Sequence, residues 1–273
     1  MKQLETYEYE DMIVHHLAGH IESMYLVEYP DRMLLLDSGC KCDANSIRDY
    51  IVNKMGRGLH ELKLCVVSHL HPDHAGGALS LRKHTGSRIA AFHKIDEWYA
   101  GIGGFIQHKI DTYLAWWVSR KQDQEKRRVL YSRFVKPDIK LQDMQALPGY
   151  EDWTVIHTPG HTSHDICLFH EKTGLIYAGD LFVKIKDKYL PPFPVTLPDA
   201  MCFSLKKLNK FDIKKVLLAH GGAFEDVNYS SLFKNLCEKI GKQKGLTFRL
   251  VKLGSHFSSE MRRVKKKKWD YHQ

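Results

Sequence analysis

The sequence predicts a layered α/β protein with sheets inside and helices outside. Two observations predict it: short apolar segments bounded by turn residues, and segments of helical spacing that separate or follow them in both halves of the 273-residue chain. With 43% apolar side chains, the chain has the material for a full-sized core. No repeat of solenoid period is visible.

Met12 to His16, Met24 to Tyr29 and Arg32 to Leu36 read as strands of a β-meander, separated by Gly19-His20 and Pro30-Asp31. Asp43 or Asn45 then caps a helix carrying Ile47, Tyr50, Ile51 and Met55, and Gly56 and Gly58 end it. Leu62 to Val67 is an apolar run broken only by Lys63, the pattern of a buried strand; a histidine-rich turn and a helix starting near Gly76-Gly77 follow. Between Ile95 and Val135, Phe105, Ile106, Ile110, Tyr113, Leu114 and Trp117 recur at helical spacing, so this stretch reads as a helical insertion. Trp153 to His157, Asp165 to Phe169, Leu175 to Ala178 and Lys215 to Ala219 read as the strands of the second half. Helices are expected near Pro198 to Asn209 and Tyr229 to Lys242. The expected organisation is one domain over residues 1–273, with the insertion at 95–135 and a basic tail at 262–273.

The net charge is +9, from 41 basic and 32 acidic residues, and the run Arg262-Arg263-Val264-Lys265-Lys266-Lys267-Lys268 supplies much of the excess. No series of stacking aromatics accompanies the run, so a solvated tail is preferred to a nucleic-acid or membrane-binding element. The acidic N-terminus does not read as a secretion signal, and no stretch reaches the roughly 18 apolar residues of a spanning helix. A cytoplasmic protein with free thiols is therefore expected. Of six cysteines, only Cys40 and Cys42 lie close in sequence, and a two-thiol metal or redox site usually has two intervening residues.

The chemistry concentrates in Ser68-His69-Leu70-His71-Pro72-Asp73-His74-Ala75-Gly76-Gly77, directly after a buried strand. Three imidazoles and a carboxylate within six residues are the donor types that divalent zinc and similar ions prefer. Pro72 stiffens the turn, and the paired glycines let the following helix start close to it. Among 17 histidines a lone one says little, but a cluster does. His161 in Thr158-Pro159-Gly160-His161-Thr162, Asp180 in Ala178-Gly179-Asp180 and His220 in Ala219-His220-Gly221-Gly222 also sit at strand ends.

Together, the His-x-His-x-Asp-His motif, the Thr-Pro-Gly-His-Thr turn, the Gly-Asp turn and the late His-Gly resemble the metallo-β-lactamase superfamily over residues 12 to 222. The lactonase, glyoxalase II and quinolone-signal-thioesterase branch is the most similar. The resemblance implies an α/β four-layer αβ/βα sandwich. It implies that His69, His71 and His161 hold one metal ion, that Asp73, His74 and His220 hold a second, and that Asp180 bridges them. Asp37 matches the family's aspartate behind the ligands. His164 resembles a histidine found near the third-ligand turn, here one residue closer than in the glyoxalase-like and lactonase-like members.

The activity implied is hydrolysis of a carboxylic ester, thioester or lactone by a hydroxide bridging two divalent ions, with Asp73 and Asp180 as the catalytic carboxylates. Zinc is the first choice of metal, with iron or manganese as alternatives. Tyr189, Tyr25 and Ser38 are candidates to stabilise a leaving group. The substrate is expected to be a small molecule of acyl or anionic character, with Trp98, Tyr99, Phe105, Trp116 and Trp117 as candidate pocket walls; packing of the insertion's own helices is the simpler role for most of these rings. Self-association is left open, and nucleic acid is disfavoured as a partner. The competing readings are a phosphodiesterase or nuclease using the same metals, and a metal-binding regulatory protein whose role needs no turnover.

Overall fold

The computed structural model describes residues 1–121, 129–225 and 227–240. The basic tail at 262–273 and residues 122–128 of the insertion lie outside the described residues. The chain forms two compact units, one of residues 1–96 and 111–140, the other of residues 97–110 and the chain from 141 onward.

The first unit is built on a sheet whose strands follow one another in chain order. Strands β1 (Lys2–Glu8), β2 (Ile13–Ala18), β3 (Ser23–Glu28) and β4 (Met33–Leu36) form the antiparallel meander. After α1 (Asp43–Asp49) and a π-helical turn over Tyr50–Lys54, β5 (Leu62–Val67) pairs parallel to β4. The short α2 (Pro72–Ala75) and α3 (Ala78–Thr85) lead to β6 (Arg88–Phe92), parallel to β5. The helix α4 (Gly101–Lys121) lies in the insertion, and β7 (Ile139–Leu141) completes the sheet. β4 and β5 are buried almost throughout, which is why they read as continuous apolar runs rather than alternations. Because β4, β5 and β6 are parallel, the residues leaving their C-terminal ends emerge at one edge. Asp37 follows β4 there, and Ser68 and His69 follow β5.

The second unit contains β8 (Ala146–Leu147), β9 (Tyr150–His157), β10 (Ile166–His170), β11 (Leu175–Tyr177), the hairpin of β12 (Val183–Ile185) and β13 (Lys188–Leu190), α5 (Pro198–Leu208), β14 (Lys215–Leu218), β15 (Gly222–Glu225) and α6 (Tyr229–Lys239). Its main sheet has the order β15-β14-β11-β10-β9-β8. β10 is antiparallel to both β9 and β11, and β11 is parallel to β14. The C-terminal ends of β9, β11 and β14 therefore share one edge, and His161, Asp180 and His220 each follow one of these ends within four residues. Behind this sheet, α5 and α6 pack Met201, Leu205, Phe233 and Leu236 into an apolar core with Ile156, Phe182 and Val216.

Several expectations change. Asp43 opens α1 but caps nothing: its carboxylate accepts the amide N–H of His20 at 3.0 Å and of Cys40 at 2.8 Å, tying two loops together. The exposed, charged β1 has no apolar signature and was not anticipated, nor were β6, β12, β13 and β15. The insertion contains one long helix among the described residues; of the residues whose spacing indicated it, Phe105, Ile106, Tyr113 and Trp117 are exposed and Ile110 and Leu114 half-buried, whereas Gln107, His108, Asp111 and Ser119 are buried. The Cys40 thiol is buried, and the Cys42 thiol together with that burial raises its pKa well above the ordinary range, so Cys40 presents no thiolate.

The close approach expected at Gly76-Gly77 is present. A Cβ on Gly76 would lie 2.7 Å from the Lys41 amide nitrogen, and one on Gly77 would collide with the Ser38 carbonyl oxygen. Gly77 has an ordinary φ of −85°, so the obstacle is steric alone. Gly77→Ala is expected to destabilise the protein by about 1–3 kcal/mol, the usual cost of overpacking, measured as a lower urea midpoint; an unchanged midpoint would mean that the loop moves freely there.

Candidate metal centre

The histidine-rich loop of the first unit is organised by Asp37, which is wholly buried. Its Oδ1 accepts the Ser68 amide N–H at 2.6 Å, and its Oδ2 accepts the Ser68 hydroxyl at 2.5 Å. The same Oδ2 lies 2.7 Å from Nδ1 of His74. A carboxylate behind an imidazole fixes the ring's tautomer and orientation, so that Nδ1–H donates backwards and Nε2 is the atom presented as a ligand. The Ser38 hydroxyl donates to the His74 carbonyl oxygen at 2.7 Å and accepts the Gly77 amide N–H at 3.2 Å. Ser38 thus holds the loop, in place of the leaving-group role considered for it. Tyr25 is buried and stacks on His16, with ring centroids 4.8 Å apart.

His69 Nε2 lies 3.0 Å from His71 Nδ1. With one ring protonated at that atom the pair is a hydrogen bond. With neither protonated it is the bite of two ligands on one ion at about 2.0–2.1 Å each. The His69 ring centroid is also 4.0 Å from that of His74. The other nitrogen of His71, Nε2, lies 3.5 Å from Oδ2 of Asp111, a buried carboxylate on α4. Burial opposes a charge on His71, but Asp111, with Asp73 adding to it, outweighs burial and raises its pKa. Asp73 is half-buried at the second position of α2.

Two carboxylates here were not found in the sequence. Glu22, in the turn between β2 and β3, is buried with Oε2 2.9 Å from Nδ1 of His74. Burial raises its pKa well above the ordinary range, against the pull of His74. Asp111 is the only acid in the 21 residues of α4, which is a signal the sequence did contain.

In the second unit, His161 Nδ1 lies 2.6 Å from the Pro194 carbonyl oxygen and donates to it, which turns Nε2 toward Asp180 Oδ2 at 3.5 Å. His220 Nε2 lies 3.5 Å from the other oxygen, Oδ1. One carboxylate with an oxygen toward each of two imidazoles has the shape of a bridging ligand. The donor set therefore fits metal ions. The turn carrying His161 is buckled by Asp165, whose carboxylate accepts the Thr162 amide N–H at 2.6 Å and hydroxyl at 2.5 Å. His164 is buried beside Trp98, edge to face at 5.4 Å. Tyr99 packs on His108 at 5.1 Å, and Tyr189 on Phe224 at 4.7 Å. Phe105, Trp116 and Trp117 stand on the exposed face of α4.

A sequence profile described as the Metallo-beta-lactamase superfamily matches residues 18–220, a stretch that contains every ligand-type residue named above. The chain belongs to this superfamily. It is a metallo-β-lactamase superfamily hydrolase. A probable metallo-hydrolase of Bacillus subtilis, YflN, is 22% identical over 83% of this chain and 90% of its own length. The human acyl-coenzyme A thioesterase MBLAC2 is 25% identical over 87% of each chain. A solved metallo-β-lactamase of Cronobacter sakazakii superposes with a TM-score of 0.57 at 21% identity, covering 98% of this chain and 95% of that one. The α/β sandwich class expected from the sequence is thus the fold of the chain.

Asp37→Asn would set an amide N–H against one of its buried donors. The substitution is expected to cost at least about 2 kcal/mol, read as a lower urea midpoint with a chelator present so that metal retention does not enter. An unchanged midpoint would show that the loop does not depend on this carboxylate.

Proposed function

We propose that this superfamily member is a two-metal hydrolase of carboxylic esters, thioesters or lactones, with thioesters favoured. The observation that carries the reading is the carboxylate of Asp180, set with one oxygen toward His161 and the other toward His220. In this reading His69, His71 and His161 would hold one ion, Asp73, His74 and His220 would hold the other, and Asp180 would serve both. Two divalent ions, when bound, lower the pKa of water toward neutrality and polarise the scissile carbonyl.

The chain's own residues supply placement. Asp37 holds the His74 ring through Nδ1, and the Pro194 carbonyl does the same for His161. Asp111 steadies His71 through Nε2, which would leave Nδ1 as the ligand atom, and Asp73 would orient the attacking water. The His and Asp donor set suits zinc, with iron or manganese as the alternatives. A thioester is favoured because the human relative is named an acyl-coenzyme A thioesterase.

The test is a hydrolysis screen over thioesters, lactones and phosphodiesters. Thioester turnover is expected, and Asp180→Ala should reduce it by more than the roughly 100-fold upper range typical of residues behind the ligands. Turnover of phosphodiesters alone would replace this reading with the nuclease one, and activity untouched by Asp180→Ala would remove the site from the reaction. Asp111→Asn should weaken metal retention against a chelator by roughly 10–100-fold while the metal-free protein still folds; equal retention would leave Asp111 a packing residue.

A further inference from the structure

Helix α4 is inverted. A helix on a water-exposed surface turns its apolar stripe inward and its polar face outward, but α4 buries Gln107, His108, Asp111 and Ser119. It exposes Ile102 at 83%, Tyr113 at 60%, Phe105 at 46%, Trp116 at 43%, Ile106 at 38% and Trp117 at 37%. Steps of three, four and seven residues connect these positions, so they form one face along the helix. Scattered exposed apolar residues are ordinary, whereas a continuous strip marks a surface that meets something other than water.

The charges on this face identify the partner. Lys109 Nζ lies 5.2 Å from the Phe105 ring centroid, the Arg120 guanidinium 5.9 Å from that of Trp116, and Lys121 Nζ 3.8 Å from that of Trp117. No acid shares the face, because the single carboxylate of α4, Asp111, is buried against His71. Three cations set among Trp, Tyr, Phe and Ile are the composition of a helix lying in a lipid interface, with rings at headgroup depth and cations beside lipid phosphates. A second copy fits poorly, since symmetric pairing of this face would bring like charges together.

We propose that the exposed face of α4 docks on an anionic membrane surface, the chain lying on the bilayer rather than crossing it. Among the described residues no helix is long and apolar enough to cross a membrane. This docking is independent of the hydrolase reading, since it uses no residue assigned to the metals.

The test is co-sedimentation of the full chain with vesicles of phosphatidylcholine, alone or mixed with phosphatidylserine. Binding is expected only to the serine-containing vesicles, weakening as salt is raised. W116S/W117S should reduce partitioning at least about tenfold, and K109Q/R120Q/K121Q roughly 100-fold, with circular dichroism confirming that each variant is folded. For a readout free of changes to the helix, brominated phosphatidylcholine in the mixed vesicles should quench the tryptophan emission of a Trp269→Phe variant. Binding undiminished in both α4 variants would overturn the proposal and assign the attraction to the basic run at 262–268. Absence of quenching would equally overturn it. So would absence of binding to either vesicle; if self-association lost in W116S/W117S accompanied that, the face would belong to a second copy.

Discussion

The ligand loop depends on one buried carboxylate. Asp37 stands at the end of β4 with φ of 58°, a left-handed conformation unusual for a residue with a Cβ. From there it accepts the amide and hydroxyl of Ser68 and reaches Nδ1 of His74. No water is needed to satisfy these donors, and removing any acceptor would leave one stranded. Parallel pairing of β4 with β5 makes this possible, because it brings Asp37 and Ser68 to adjacent strand ends. The remaining contacts follow: Ser38 fastens the His74 carbonyl and the Gly77 amide, and two residues without side chains let the loop lie against the backbone of residues 38–41.

The second unit uses a similar device at a different place. Asp165 closes the turn after His161 as Asp37 closes the loop before His74, and the Thr196 hydroxyl donates to the His161 carbonyl oxygen at 2.7 Å. Gly160 packs where a Cβ would lie 2.5 Å from Cβ of Met201, so α5 presses directly on the ligand turn. His161, like His71 and His74, therefore has one nitrogen held by the protein. That anchoring is what an ion-binding histidine requires.

The candidate ligand residues were legible in the sequence because coordination chemistry restricts residue type and because four of them are nearly contiguous. The strands behind them were legible because burial on both faces makes β4 and β5 continuous apolar runs. What escaped has physical reasons. β1 is an edge strand whose side chains face solvent, so its residues carry no burial pattern. Glu22 and Asp111 act on histidines about 50 and 40 residues away, through contacts that no local period encodes. Asp43 resembles a helix cap locally, yet its two amide partners come from loops folded onto it by the sheet. The spacing of the apolar residues on α4 identified a helix but not which face is buried, because periodicity locates a stripe without saying what covers it.

The account stands or falls on whether the two ligand sets hold metal together. The direct measurement is the metal content of the full chain, purified without added metal and then dialysed against limiting chelator, compared with Asp180→Ala. The account predicts close to two divalent ions per chain in the natural protein and a marked loss from the variant, because one carboxylate serves both ions. Protein that retains no metal, even after zinc, iron or manganese is supplied, would contradict it.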